Sequence, residues 1–142
     1  MSIGKVLCST DGSNHAAKAV SHAVELAHRL GVPLTFITVV DGSPNETPIV
    51  WDEEAIRSGN LPPDKSLLAA VSAGLEGGLH RLRAVRAPGD DIAQTIVQYA
   101  ETNSYHQIIT GSAGRTGAAR LLIGSVATDL VTKAHCPVTV VR

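Results

Sequence analysis

Gly111, Gly114, Gly124 and Ser125 stand in a G-x2-G-x9-G-S pattern inside the stretch ITGSAGRTGAARLLIGSV, Ile109 to Val126. Glycine lets a backbone come close to a ligand and take up positive φ. A helix beginning at Ser125 turns its unpaired N–H groups and the positive end of its dipole toward an anion. That chemistry suits a phosphate. The same residues also read as plain turns with Ser125 as a helix cap. Arg115 and Arg120 fit either solvated loop positions or counter-charges for a polyphosphate. A Walker loop is excluded, because Gly117 is followed by Ala118 and Ala119 where Lys-Ser/Thr is needed, and TDGSNH stands where a G-x-G-x-x-G would follow the first strand.

Other residues able to do chemistry read more simply. His15, His22 and His28 share one helical stretch without nearby cysteines or paired carboxylates, which is poor metal geometry; no metal site is expected. Asp52, Glu53 and Glu54 make a solvated face rather than an acid/base pair. Asp90 and Asp91 open a helix, where carboxylates favour the dipole. Cys8 and Cys136 lie in apolar surroundings and read as two buried, reduced thiols.

The elements that must position the glycine pattern alternate along the chain. IGKVLCS at 3–9 reads as a buried strand ending in TDGSN. Ala16, Val20, Ala23, Val24, Ala27 and Leu30 follow at helical spacing between Ser13 as N-cap and Gly31 as stop. PLTFITVV is a continuous apolar, β-branched run, as expected of a parallel strand covered on both faces. Residues 41–63, with four prolines and two glycines, read as a mobile excursion or lid containing a short helix. Leu67, Leu68, Val71 and Leu75 give a helix ended by Gly77 and Gly78. LHRLRAVR at 79–86 is a third strand whose three arginines place it at an edge. Ile92, Ile96, Val97 and Ala100 make a helix, QIIT a fourth strand, Val126, Leu130 and Val131 a last helix, and PVTVV a fifth strand.

Such alternation predicts an α/β fold with a parallel sheet, helices on both faces and right-handed crossovers; the order expected for an open sheet of these five strands is 3-2-1-4-5. In such sheets ligands bind outside the carboxyl ends of the strands, where the strand order reverses. That point lies between strand 1, ending at Thr10-Asp11, and strand 4, ending at Thr110-Gly111, so the glycine loop faces Asp11.

With 142 residues, 44% of them apolar, the chain suits a single domain over 1–142 with a real core. A formal charge of −1 gives no basic surface for nucleic acid. The apolar runs are too short to span a bilayer and no signal segment is evident, so the expectation is a cytoplasmic protein without membrane insertion.

STDGS at the end of strand 1, TVVDGS at the end of strand 2 and GSAGRTGAARLLIGSVATDLVTKAHCPVTVV at the C-terminus resemble the universal stress protein (UspA-like) family over the whole chain. The resemblance implies its ATP-binding branch and an adenine nucleotide α-hydrolase-like, Rossmann-like fold. It implies that Ser9, Thr10 and Asp11 line a nucleotide site, that the Val39 backbone meets the adenine edge, and that Gly111, beside Thr110, lies against the ribose. Gly114, Gly124, Ser125 and Val126 would hold the phosphates, with Arg115 alongside. Many family members carry proline and a large residue where this chain has Ser9 and Thr110, and His where it has Ala113.

The expected ligand is ATP with Mg²⁺, and the expected role a nucleotide-dependent regulator in stress response. The rival reading is a slow ATPase or autophosphorylating enzyme using the same site, although no P-loop lysine, water-activating base or Walker-B carboxylate is evident. A response-regulator receiver fails, since strand 1 offers one aspartate and strand 3 ends in RAPG. A flavodoxin-like site would leave the second glycine loop unexplained. Strand 5 is an apolar edge, which proteins cover or pair; a homodimer through Val138, Thr139 and Val140 is expected.

Overall fold

The computed structural model describes residues 4–113 and 123–142. In chain order the elements are β1 (Val6–Ser9), α1 (Asn14–Leu30), β2 (Leu34–Val40), β3 (Ile49–Trp51), α2 (Glu53–Arg57), α3 (Lys65–Glu76), β4 (Leu82–Pro88), α4 (Ile92–Thr102), β5 (Gln107–Gly111), α5 (Ser125–Lys133) and β6 (Val138–Val141). The described strands form one sheet in the order β3-β4-β2-β1-β5-β6. All neighbours are parallel except β3, which runs antiparallel to β4.

The expected order 3-2-1-4-5 is present as β4-β2-β1-β5-β6, with β3 added outside it. This corrects two expectations. The arginine-bearing strand is not an edge: β4 is paired on both sides. Its charges sit where they can be met, Arg83 exposed near the amino end and Arg86 paired with Asp64 at 3.3 Å. Nor is the segment 41–63 a loose excursion. Besides the expected short helix, α2, it contains β3, and Ile56 is buried in the core with Trp51 packed against it.

Strand alternation divides the core between the two faces of the sheet. Val6, Cys8, Leu34, Phe36, Ala84 and Ile109 face one way, against Val20, Ala23 and Ala27 of α1 and Leu67 and Val71 of α3. Leu7, Ile37, Val85 and Ile108 face the other way, against Ile96 and Val97 of α4 and Leu130 of α5. Cys8 is fully buried and burial raises its thiol pKa well above the usual range, which removes it from thiolate chemistry. Cys136 is only half-buried.

Local signals explain the helix ends. The Ser13 side chain accepts from the Ala16 amide at 3.2 Å, and Gly31 closes α1 in the left-handed conformation with φ +64°, which favours glycine. Asp91 caps α4 by accepting from the Gln94 amide at 3.0 Å, and Asp52 caps α2 in the same way, accepting from Ala55 at 2.9 Å. The hydroxyl of Tyr105 donates to Thr35 Oγ1 at 2.7 Å, satisfying two buried polar groups at the amino end of the α4 face. Among the described residues no helix is long and apolar enough to cross a membrane.

Candidate functional site

Because β1 lies between β2 and β5, the crossovers leave β1 toward one edge and β5 toward the other, and the helices part at their carboxyl ends. A cleft of about 320 Å³ opens there, on the α4/α5 face, within the size range of small-molecule sites. Ser9, Thr10, Asp11, Val39, Thr110, Gly111, Gly124, Ser125 and Val126 all line it. These are nine of the positions singled out from the sequence, brought together from four separate segments. Gly114 and Arg115 lie outside the described residues.

Each lining segment has a local reason for its path. The Asp11 carboxylate accepts from the Ser13 amide at 2.9 Å, and Thr10 Oγ1 accepts from the Gly12 amide at 3.3 Å. Together they turn the chain from β1 into α1, with Gly12 at φ +80°, a conformation glycine adopts without penalty. On the floor, the side chains of Ser9 and Thr110 bond to each other at 2.8 Å across β1 and β5.

Gly111 is required by packing. A Cβ there would lie 2.8 Å from the His15 carbonyl oxygen and 2.9 Å from its carbon, so the bare Cα is what lets α1 start against the end of β5.

At the opposite wall Gly124 is the N-cap of α5 and makes no side-chain cap bond. Its φ of −62° is open to any residue, so the glycine answers to space: a Cβ would meet Ala113 Cα and the Ser112 carbonyl oxygen at 3.3 Å. The Gly124 amide donates to that carbonyl at 2.6 Å, fixing the start of α5. Ser125 is therefore the first helical residue rather than the cap. In the first turn of α5 the amides lack a carbonyl four residues back, leaving a donor cluster at the positive end of the helix dipole.

The remaining wall is apolar. Ile37, Val39, Ile92 and Ile96 supply it, and half of the Ile92 side-chain surface stays open to solvent. Ile37, Ile92 and Ile96 went unrecognised as site residues in the sequence because their spacing is that of ordinary core positions. The one available signal was Ile92 itself, an isoleucine at the first position of a helix directly after a strand end. Among the described lining residues Asp11 is the one ionisable group. The cleft is thus amphiphilic, with isoleucines at one end, hydroxyls in the middle and helix amides at the other.

Two larger surface hollows, of about 500 Å³ between α1 and α3 and about 450 Å³ beside β3 and α4, run along helix flanks. Neither gathers strand ends and a helix N-terminus in this way.

The sequence model of the universal stress protein family matches residues 2–142. The chain belongs to that family. A universal stress protein of Methanocaldococcus jannaschii is 32% identical over 139 residues, covering 97% of this chain and 81% of the relative. The fold is shared with other universal stress proteins of known structure. One from Archaeoglobus fulgidus, solved in complex with dAMP, superposes with a TM-score of 0.67 at 23% identity, covering all of both chains. Another, solved in complex with cAMP, gives a TM-score of 0.71 at 20% identity, covering 100% of this chain and 98% of the other. The universal stress protein sheet accounts for where the cleft sits, since its strand order sets the point at which the helices diverge.

Proposed function

We propose that the cleft binds an adenine nucleotide, ATP accompanied by Mg²⁺, and that the protein acts in the cytoplasm as a nucleotide-dependent regulator in stress response. The observation that carries this reading is the opening of the α5 N-terminus into a cavity whose far end is apolar. Helix amides suit phosphate, and the isoleucine end suits a purine face. The complexes of two structural neighbours with dAMP and cAMP support the choice of adenine.

Binding is favoured over turnover because Asp11 is the one ionisable group among the described lining residues, and proton transfer needs a positioned acid or base. Mass spectrometry of nucleotide released from heat-denatured protein, with calorimetric titration of ATP, tests the reading. Bound adenine nucleotide or saturable ATP binding is expected. Neither would be seen if the cleft served another ligand, and turnover of about one per second would contradict a purely regulatory role.

The same reading includes a homodimer through β6. It is an edge strand whose residues are all partly exposed, and an open edge favours pairing. Replacing Thr139 by proline removes a donor and restricts φ, so light scattering should show a dimer for the wild type and a monomer for the variant. A wild-type monomer at micromolar concentration would refute the dimer.

A further inference from the structure

The hydroxyls on the cleft floor carry an unspent hydrogen bond. Ser9 and Thr110 are neighbours across β1 and β5, following the register in which Cys8 pairs with Ile109. Both side chains point to the α4/α5 face and both line the cleft. They are 9% and 4% exposed and bond to each other at 2.8 Å.

Two hydroxyls bring two protons, and the bond between them uses one. Among the described residues neither side chain has another partner, so the second proton and the lone pair of the donating oxygen are uncommitted on the floor of a cavity with an isoleucine wall on one side and the α5 N-terminus on the other. Each hydroxyl is satisfied once within the fold, and a ligand with both donor and acceptor can take up the capacity that remains. In an apolar pocket a few such groups fix the ligand's orientation.

The position of the pair says which part of a ligand it meets. Across the sheet the order is β2, β1, β5, β6. Ile37 and Val39 of β2 lie to one side of the pair, and the N-terminus of α5 lies to the other. If a purine takes the apolar side and phosphates take the helix, the hydroxyl pair lies under the sugar between them.

We infer that Ser9 and Thr110 form a sugar-recognition pair that hydrogen-bonds a ribose hydroxyl and selects ribonucleotides over deoxyribonucleotides. A sugar hydroxyl is both donor and acceptor and can meet the spare proton and the spare lone pair together. Sites built to hydrogen-bond a hydroxyl discriminate strongly against analogues lacking it, because their own polar groups are then left unpaired. The inference rests on the nucleotide reading of the cleft.

The test is calorimetric titration with four probes: ATP, 2′-deoxy-ATP, 3′-deoxy-ATP and purine riboside triphosphate, which lacks the exocyclic amine. The wild type should bind ATP about tenfold or more tightly than at least one deoxy analogue. In the Ser9→Ala/Thr110→Val double variant that preference should fall below about twofold, with affinity for the deoxy analogue little changed. Removing both partners avoids a stranded hydroxyl, and a thermal melt confirms folding. Thr110→Ser, which keeps the hydroxyl, should retain the preference.

Equal affinity of the wild type for ATP and both deoxy analogues would overturn the inference, as would a preference that survives in the double variant. Loss of discrimination against purine riboside triphosphate in its place would assign the pair to the base and overturn the sugar assignment. Failure of the wild type to bind any of the four would instead refute the nucleotide reading itself.

Discussion

The two faces of the sheet are finished differently at the carboxyl ends of its strands. On the α1/α3 face side chains of α3 and its cap bridge to the strand ends: Ser66 Oγ lies 3.4 Å from Thr38 Oγ1, and Asp64, the N-cap residue of α3, pairs with Arg86 instead of capping its own helix. On the α4/α5 face the equivalent hydroxyls, Ser9 and Thr110, reach only each other among the described residues, and the cap of α5 is a glycine with no side chain to fold back. Side chains thus cross between layers at Thr38 and Arg86, and among the described residues Ser9 and Thr110 make no such crossing. A polar cluster near strand ends is not by itself a site; what separates the two is whether its side chains bridge a helix to the sheet or stay on the floor of a cleft.

The contrast is broken most severely from the open side. Gly124→Val would place a branched side chain against Ala113 and Ser112, where a single Cβ already meets backbone at 3.3 Å, and would push the first turn of α5 away from the place proposed for the phosphates. Losing about two charge-assisted hydrogen bonds to phosphate costs roughly 3 kcal/mol, about a hundredfold in ATP affinity. Calorimetry beside a thermal melt reads both quantities, and unchanged affinity in a folded variant would remove the α5 N-terminus from the site.

Gly111→Ala acts at the seam between the faces. Its Cβ would meet the His15 backbone at 2.8 Å, and overpacking against backbone costs about 1–3 kcal/mol. The expected result is a lowered melting temperature with or without nucleotide. A variant as stable as the wild type would mean that α1 can retreat from β5 at little cost.

Asp11→Ala is expected to weaken ATP binding about tenfold in the presence of Mg²⁺ and to change its dependence on the metal, since a carboxylate beside a polyphosphate repels unless it meets a hydroxyl, a base N–H or a cation. Tighter binding by the alanine variant would show Asp11 to be a turn residue that the ligand tolerates.

The smallest effect belongs to the closed side. Asp64→Asn loosens the pair with Arg86, whose side chain is 42% exposed, so solvent screening limits the cost to about 1 kcal/mol or less. ATP affinity should stay within about twofold. A larger loss would mean that the two faces are coupled.

Much of this architecture could be read from residue order. Strand and helix periods alternate cleanly enough to give the five strands of the parallel part of the sheet, and Ser13, Gly31 and Asp91 announce helix ends by their own chemistry. The strand β3 escaped because three residues, with Ile49 and Val50 about half exposed, carry no periodicity. The interior place of β4 escaped because arginine density suggests an edge, whereas a structural partner such as Asp64, 22 positions before Arg86 in the chain, leaves no local trace. In the site, glycine spacing marked the wall formed by Gly111 and the N-terminus of α5. It could not reveal that Gly111 answers to the approach of α1, or that core-like isoleucines on α4 turn their flank to the cleft.

The last strand also has a mechanical consequence. The Val141 carbonyl accepts the Ser112 amide at 2.9 Å, and the Ser112 carbonyl accepts the Gly124 amide at 2.6 Å. Two hydrogen bonds in series therefore tether the free margin of the sheet to the cap of α5. The start of α5 is thus held from β6 as well as from the end of β5. Ser112 is therefore the residue through which the outer strand and the wall of the cleft share a backbone connection.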